Sequence, residues 1–255
     1  MIRFVIRRER VRVPVYLLVM VWLIASTAVQ SDGLYSSQAE RADYAATVAG
    51  NPGLIAMVGP PYALTNVGGD TAWQWGAVGA IVAALASTFI VGRHTRAEEQ
   101  SGRSELLRAN VVGRDAPTAA TMIVVALVNV LMAALVASAM IALDQPAAGS
   151  IAFGASLGGA GLFFAGVAAV AMQVNQSTGG AYGLVGAVLG GSFILRAAGD
   201  VGDGTHSWLS PIGWTQAMRP YADERWWPLL GLTAMAIALT AVGVAGVRRR
   251  DIPTA

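Results

Sequence analysis

Six long apolar segments constrain this chain more than any other feature of its sequence. None of them contains Asp, Glu, Arg or His, and five reach the ~17–25 residues that a helix needs to cross a bilayer. The six segments are residues 13–29, 71–91, 116–143, 151–172, 181–195 and 227–247. The sequence therefore predicts an all-α membrane protein, with six transmembrane helices in one domain over residues 1–255. We expect the short fifth segment to extend into the preceding glycines or to break near its outer end.

The distribution of arginine predicts the orientation, because short loops rich in basic residues stay in the cytoplasm. All 17 basic residues are Arg. An N-terminus in the cytoplasm places 13 of them on that side, namely Arg3, Arg7, Arg8, Arg10, Arg12, Arg93, Arg96, Arg103, Arg108, Arg114, Arg248, Arg249 and Arg250. The other four are Arg41, Arg196, Arg219 and Arg225. We therefore expect both termini to be cytoplasmic, with outer segments over residues 31–70 and 196–226.

The N-terminal region has two interpretations. Its Arg-rich start, apolar stretch and small residues fit a cleaved secretory signal. The apolar stretch exceeds the ~7–15 residues usual in such signals, which favours a retained first span. Before it, Ile2, Val5 and Ile6 fall on one helical face and arginines on another, which predicts a helix along the inner membrane surface.

The chain has no Cys and no Lys. It therefore has no disulfide, Cys-based zinc site or thiol nucleophile, and no P-loop lysine for ATP. His94 and His206 have no second ligand at metal spacing, so we interpret each as a solvated or locally bonded side chain. The sequence thus predicts no catalytic residue, metal site or cofactor in this chain.

The apolar segments also lack the ionisable groups that proton pumps and secondary transporters place inside the membrane. A proton- or ion-coupled permease is therefore disfavoured.

Asn129 is the most polar residue deep in a segment, and we interpret it as hydrogen-bonded to a neighbouring helix. Glycines four residues apart predict close helix packing in the fourth and fifth spans. These are Gly154 and Gly158, Gly179 and Gly183, and Gly186 and Gly190.

The loop over residues 92–115 is the most informative hydrophilic segment. It is typical of a short charged helix, with Glu99 and Arg103 at i,i+4 and Glu105 and Arg108 at i,i+3. One interpretation is a solvated loop whose arginines only fix the topology. The interleaved acids and the apolar pair that follows favour docking into the groove of a partner.

This loop resembles the inner loop of ABC-2-type exporter permeases. The shared pattern comprises Glu98, Gly102, Glu105, Leu106 and Leu107. The later part of the chain is similar to the actinobacterial-type permeases that export polyketide antibiotics, and the similarity covers most of residues 71–251. It is carried by residues 183–190, 195–200, 208–214, 219–222 and 225–228. Members of that subgroup usually have two similar six-span halves, and this chain resembles one half.

The resemblance implies a permease subunit of an ATP-driven exporter in the bacterial plasma (inner) membrane. ATP and Mg would bind to a separate cytoplasmic ATP-binding subunit in two copies, and the second permease half would be an identical or a related chain. The cargo would be hydrophobic or amphipathic, such as antibiotics, drugs or lipids, with no role for nucleic acid. The residues implied for coupling are Glu98, Glu99, Gly102, Arg103, Glu105, Leu106 and Leu107.

An aromatic segment precedes the sixth span and is predicted to form re-entrant or short outer helices. Its candidate gate or interfacial residues are Trp208, Ser210, Pro211, Trp214, Tyr221, Trp226 and Trp227. An interfacial belt is the simpler interpretation of Trp226 and Trp227, whereas Trp208 and Trp214 suit a turn that caps the translocation path. The alternative function is a non-transporting scaffold or sensor that docks a cytoplasmic partner through the inner loop.

Overall fold

The structure is a computed structural model that describes residues 1–34, 37–95, 116–175 and 177–249. For residues 247–249 it describes the backbone only. Every regular element in these ranges is helical. The elements are α1 (Ile2–Glu9), α2 (Arg12–Leu34), α3 (Gln38–Ala49), α4 (Pro52–Val58), α5 (Val67–His94), α6 (Ala116–Ala142), α7 (Ala147–Val174), α8 (Thr178–Val201), a 3₁₀ helix (His206–Leu209), α9 (Pro211–Ala217) and α10 (Trp227–Arg249).

Six of these helices are long and apolar enough to cross a membrane. They are α2, α5, α6, α7, α8 and α10, which confirms the predicted six-helix bundle. The short helices mark its two ends. We call the end with α1, the end of α5 and the start of α6 the loop end. We call the opposite end, with α3, α4, the 3₁₀ helix and α9, the cap end.

Helix α8 differs most from its predicted segment. It begins at Thr178 and so includes the preceding glycines, as expected, but it also continues past Leu195 to Val201. Arg196 and Asp200 therefore lie inside the helix and not in an outer segment. Their side chains are one turn apart and form an ion pair of 3.3 Å, so the charge of Arg196 is neutralised locally and does not end the helix.

Helix α7 forms the centre of the bundle. It is apolar on all sides, which is typical of a helix surrounded by others, and it packs against α5, α6 and α10. Phe153, Leu157 and Phe164 of this helix are fully buried and belong to the two apolar clusters of the core. Many of its other buried residues are Gly, Ala or Ser, which lets neighbouring backbones approach closely.

Two predicted contacts occur in this core. The buried amide of Asn129 donates a hydrogen bond of 2.9 Å to the hydroxyl of Ser87 on α5, which confirms the expected interhelical bond. Gly154 and Gly158 lie where α7 meets the backbone of α6 at Ala133 and Asn129. These positions have no room for a larger residue without movement of α6.

The glycines of α8 lie in a different environment. Gly179, Gly183, Gly186 and Gly190 follow one another at spacings of four, three and four residues, and all are exposed. Among the described residues, no atom outside the helix's own backbone and the chain neighbours lies within 4 Å of a Cβ built on any of them. The close helix contact predicted for these four positions is therefore not made within the described chain.

Gly154→Ala tests the close contact between α6 and α7. We expect it to lower the free energy of unfolding by about 1–3 kcal/mol, because the new methyl group meets the carbonyl of Ala133. Gly76→Ala is the matched control, since a Cβ there meets nothing, and it should be neutral or stabilising by up to ~1 kcal/mol. Thermal unfolding in detergent, followed by tryptophan fluorescence, measures both. Equal effects would contradict the described packing.

Candidate functional site

At the cap end, the C-terminus of α4 is held by side chains from three other helices. The last carbonyls of a helix have no partner within it, so buried helix ends need donors from elsewhere. Arg196 of α8 donates to Met57 O at 3.0 Å, and Gln216 of α9 donates to Val58 O at 2.6 Å. The indole of Trp73 on α5 donates to Gly59 O at 2.7 Å. These hydrogen bonds attach the C-terminus of α4 to α5, α8 and α9.

Arg196 is the central residue of this arrangement. It is fully buried, its guanidinium lies 4.5 Å from the ring centroid of Phe193, and it pairs with Asp200. Asp200 also accepts a hydrogen bond of 2.6 Å from Ser207, at the start of the 3₁₀ helix. A buried charge is costly unless it is paired and hydrogen-bonded, so these partners make this position tolerable for an Arg.

The predicted aromatic segment packs onto this cap. The Trp208 ring stacks on Trp227, with centroids 5.0 Å apart, and Trp208 O accepts a hydrogen bond of 2.7 Å from the Trp214 indole. Ser210 caps the first turn of α9, where Pro211 is the first residue, and its hydroxyl donates to Ser192 O at 2.6 Å. Trp208 also lines a cavity of about 320 Å³ between α8 and α9.

Tyr221 lies apart from these residues, in the turn before α10. Its hydroxyl is 3.0 Å from that of Ser150, and its ring fills the space left by Gly68 of α5 and Gly149 of α7. Burial raises the pKa of Tyr221 to about 12. Trp226 is 43% exposed at the start of α10. The candidate outer residues thus divide into a stacked group around Trp208, a half-buried Tyr221 and an exposed Trp226.

At the loop end, Glu9 joins α1 to the end of α5. Its carboxylate accepts two hydrogen bonds from Arg93, of 3.2 and 3.0 Å, and lies 2.9 Å from Nε2 of His94. An ionised carboxylate only accepts hydrogen bonds, so Nε2 of His94 carries the proton. The Glu9 and His94 side chains are each only 3% exposed. Of the two options for His94, a solvated side chain is therefore wrong, whereas a bonded side chain is correct, with a partner on the N-terminal helix.

The electrostatics of this joint favour the charged form of Glu9. Burial by itself raises the pKa of this carboxyl, but the hydrogen bond from His94 and the positive charge of Arg93 outweigh it. The pKa of Glu9 is consequently below its usual range. Glu9 is also the only acid among the first 31 residues, which otherwise carry only basic charges. That isolation is the sequence signal from which the joint could have been found.

The predicted coupling residues follow this joint in sequence. Glu98, Glu99, Gly102, Arg103, Glu105, Leu106 and Leu107 all lie outside the described residues. Arg93 and His94 are the last two residues of α5 and therefore stand at the start of that segment. Helix α5, which leads into the predicted coupling loop, is thus bound to α1 by the ion pair of Arg93 with Glu9 and by the hydrogen bond between His94 and Glu9.

Comparison with known proteins defines the family. Residues 17–248 match the family of the C-terminal domain of the multidrug efflux system permease Rv1217c. The multidrug efflux system permease protein Rv1217c of Mycobacterium tuberculosis is 38% identical over 253 residues, which cover 99% of this chain and 46% of that protein. The chain belongs to this family of efflux permeases. Together with the six apolar helices, this makes it a multi-pass inner-membrane protein.

The chain spans about half the length of the Mycobacterium tuberculosis permease. The match confirms the expected membership of an efflux permease family, whereas the ATP-driven mechanism, the second half and the coupling residues stay predictions.

Glu9→Gln tests the joint at the loop end. Because the pKa of Glu9 is lowered by folding, its stabilisation is complete above the unfolded pKa of about 4.5 and is lost as the pH falls through the lower folded value. We expect Glu9→Gln to lower the free energy of unfolding by roughly 2–3 kcal/mol at neutral pH, and the gap to wild type to close in acid. Unfolding midpoints between about pH 3 and pH 8 measure it. Asp43→Asn, at an exposed acid, is the control, and a gap that persists in acid would contradict the assignment.

Proposed function

We propose that this chain is the membrane subunit of an ATP-driven exporter, which moves hydrophobic or amphipathic compounds such as drugs, antibiotics or lipids out of the cell. The observation that carries the proposal is the match to a multidrug efflux permease along nearly the whole chain. A separate cytoplasmic subunit pair supplies ATP hydrolysis and binds the Mg. The absence of any Lys in the sequence supports this division, because the P-loop uses a lysine to hold phosphate.

In this proposal the loop end faces the cytoplasm. The asymmetry of arginine between the two ends supports that orientation. Residues 92–115 take up the movement of the ATP-binding subunits and transmit it to α5 and α6, which they connect. The bonds of Glu9 to Arg93 and His94 support this role, since they make α1 and the end of α5 move as one body. Helix α5 packs along α7, so a displacement at the loop end reaches the centre of the bundle.

The cap end then controls release of the cargo. Helix α4, the 3₁₀ helix and α9 are linked through Arg196, Gln216 and Asp200, and Trp208 lines the cavity between α8 and α9. Short helices joined by a few hydrogen bonds can move together without unfolding the long helices beneath them. This arrangement supports a gate at the outer face.

Coupling is tested by reconstituting the chain with an ATP-binding subunit from the same genome. We expect the two proteins to co-purify and ATP to drive accumulation of a fluorescent drug in inside-out vesicles. Glu105→Arg should reduce ATP-driven accumulation at least ~tenfold, because it reverses a charge at the predicted docking surface, while membrane insertion stays normal. Asp43→Arg, a charge reversal at the cap end, is the matched control.

Two results would contradict these assignments. Unchanged transport by Glu105→Arg would contradict the role of residues 92–115 in coupling. Failure of any ATP-binding subunit to co-purify, together with transport that ignores ATP, would contradict the exporter proposal. Capture of a cytoplasmic protein without transport would favour the scaffold or sensor instead.

We further propose that a second six-helix half packs against the glycine face of α8. Gly179, Gly183, Gly186 and Gly190 are exposed, and a Cβ on any of them would meet no other described part of the chain. Such faces allow two helices to approach closely. The length of the Mycobacterium tuberculosis relative, about twice that of this chain, supports a second half. The second half is either another copy of this chain or a related one.

Gly186→Leu tests this interface. If the chain pairs with itself, we expect the substitution to shift the purified protein from dimer to monomer, because a large side chain separates the two helices. Gly76→Leu on α5 is the control, since a side chain there also enters open space. Mass photometry in detergent, or native mass spectrometry, measures the shift. A wild-type dimer that survives Gly186→Leu and Gly183→Leu together would contradict packing through this face.

A further inference from the structure

A buried acid at the cap end has no part in the mechanism proposed above. Asp70 lies in the first turns of α5 and is only 3% exposed. The hydroxyl of Ser31 on α2 and the amide of Gln74, at 3.0 Å, both donate to its Oδ2 atom. The other oxygen, Oδ1, is buried and has no hydrogen-bond partner among the described residues.

Asp70 also lacks a positive partner. In the described part of the chain, ion pairs join Arg41 to Asp32, Arg93 and His94 to Glu9, and Arg196 to Asp200. Asp70 is in none of them, so its two donors are neutral groups. The N-terminus of α5 is favourable for a nearby negative charge, but it leaves Oδ1 without a hydrogen-bond partner among the described residues. Buried carboxylates are normally paired with a cation or coordinate one.

This carboxylate lines a cavity of about 570 Å³ between α2, α4 and α5. Pockets for drug-sized ligands have volumes of ~300–1,000 Å³ and combine apolar walls with a few polar groups. Two aromatic residues, Tyr44 and Trp73, line the cavity together with the apolar Leu34. Aromatic rings beside a carboxylate favour a positively charged ligand with an apolar body.

We propose that this cavity binds organic cations, with Asp70 as the counter-charge. The inference rests on the proposed efflux function and names a class of cargo for it: molecules in which a positive nitrogen or phosphorus centre is carried on an apolar body. Ser31 and Gln74 hold the carboxylate in the cavity wall through Oδ2, and its negative charge, which has no cation beside it among the described residues, attracts the positive centre of the ligand. Trp73 is fixed by its hydrogen bond to Gly59, so the wall beside Asp70 is already in place.

The test uses the purified full chain in detergent and two probes of similar shape. Tetraphenylphosphonium carries a positive charge, whereas triphenylphosphine oxide is neutral. We expect Asp70→Asn to raise the Kd for tetraphenylphosphonium at least tenfold and to leave the Kd for triphenylphosphine oxide unchanged. The asparagine has nearly the same size and can still accept from Ser31, so the change removes the charge only. Asp43→Asn, an exposed acid at the same end, should bind both probes as wild type does.

A second variant keeps the test decisive if Asp70→Asn does not fold. Gln30→Arg adds a cation to the cavity wall at an exposed position of α2, where a larger side chain is tolerated. It should weaken binding of tetraphenylphosphonium to a similar extent. Wild-type affinity for tetraphenylphosphonium in every variant that folds would overturn the proposal. Equal affinity of the wild type for both probes would overturn it as well.

A membrane lipid with an ammonium headgroup offers the same chemistry as a cationic cargo. Titrations in nanodiscs with and without phosphatidylethanolamine separate the two sources. Binding of tetraphenylphosphonium in both supports a cargo site, whereas its loss in the presence of this lipid would overturn the cargo assignment in favour of a headgroup site. No ATP-binding subunit is present in these titrations. A negative result in these binding titrations is therefore distinct from a failure of the ATP-driven mechanism, which is tested by co-purification and vesicle transport.

Discussion

The cost of placing an unpaired charge in apolar surroundings determines how this bundle is closed at both ends. Glu9 is buried with Arg93 and His94 at the loop end, and Arg196 is buried with Asp200 at the cap end. The ion pairs of Glu9 join α1 to α5, which are far apart in sequence. The ion pair of Arg196 lies within α8, and its link to a distant element is the hydrogen bond to Met57 O of α4. A charge that leaves water must find its partners wherever the fold brings them. The central helix α7, which carries no ionisable residue, can then be surrounded by apolar neighbours along its length.

The two ends have different architectures, which suits different tasks. At the loop end, one helix is fastened to the start of a segment predicted to meet a partner. At the cap end, several short helices are fastened to one another through α4 and Arg196. A transporter that opens alternately needs rigid long helices and separable contacts at their ends. Among the described residues, Asp70 is the buried acid that has no cation beside it. This is why we propose a positively charged ligand as its partner.

Much of the fold could be predicted from the sequence, because six apolar segments without ionisable residues have few alternatives to a helix bundle. The bond of Asn129 was also predictable, since an amide deep in an apolar helix has to find a partner. The partners of Glu9 and Arg196 were not predicted. The lone acid marks Glu9 as unusual, but only the fold brings Arg93 and His94 to it and brings the end of α4 to Arg196. The glycines of α8 resemble those of α7 in spacing, yet only the fold shows that they face no other part of the described chain.

The central proposal is that this chain takes its energy from an ATP-hydrolysing partner and not from an ion gradient. The most direct test measures accumulation of a fluorescent drug in sealed proteoliposomes that contain the purified chain, with and without an ATP-binding subunit. The account predicts no uphill accumulation under an imposed proton or sodium gradient, and accumulation when the partner and Mg-ATP are present. Uphill transport by the chain alone, driven by a proton gradient and abolished by a protonophore, would contradict it.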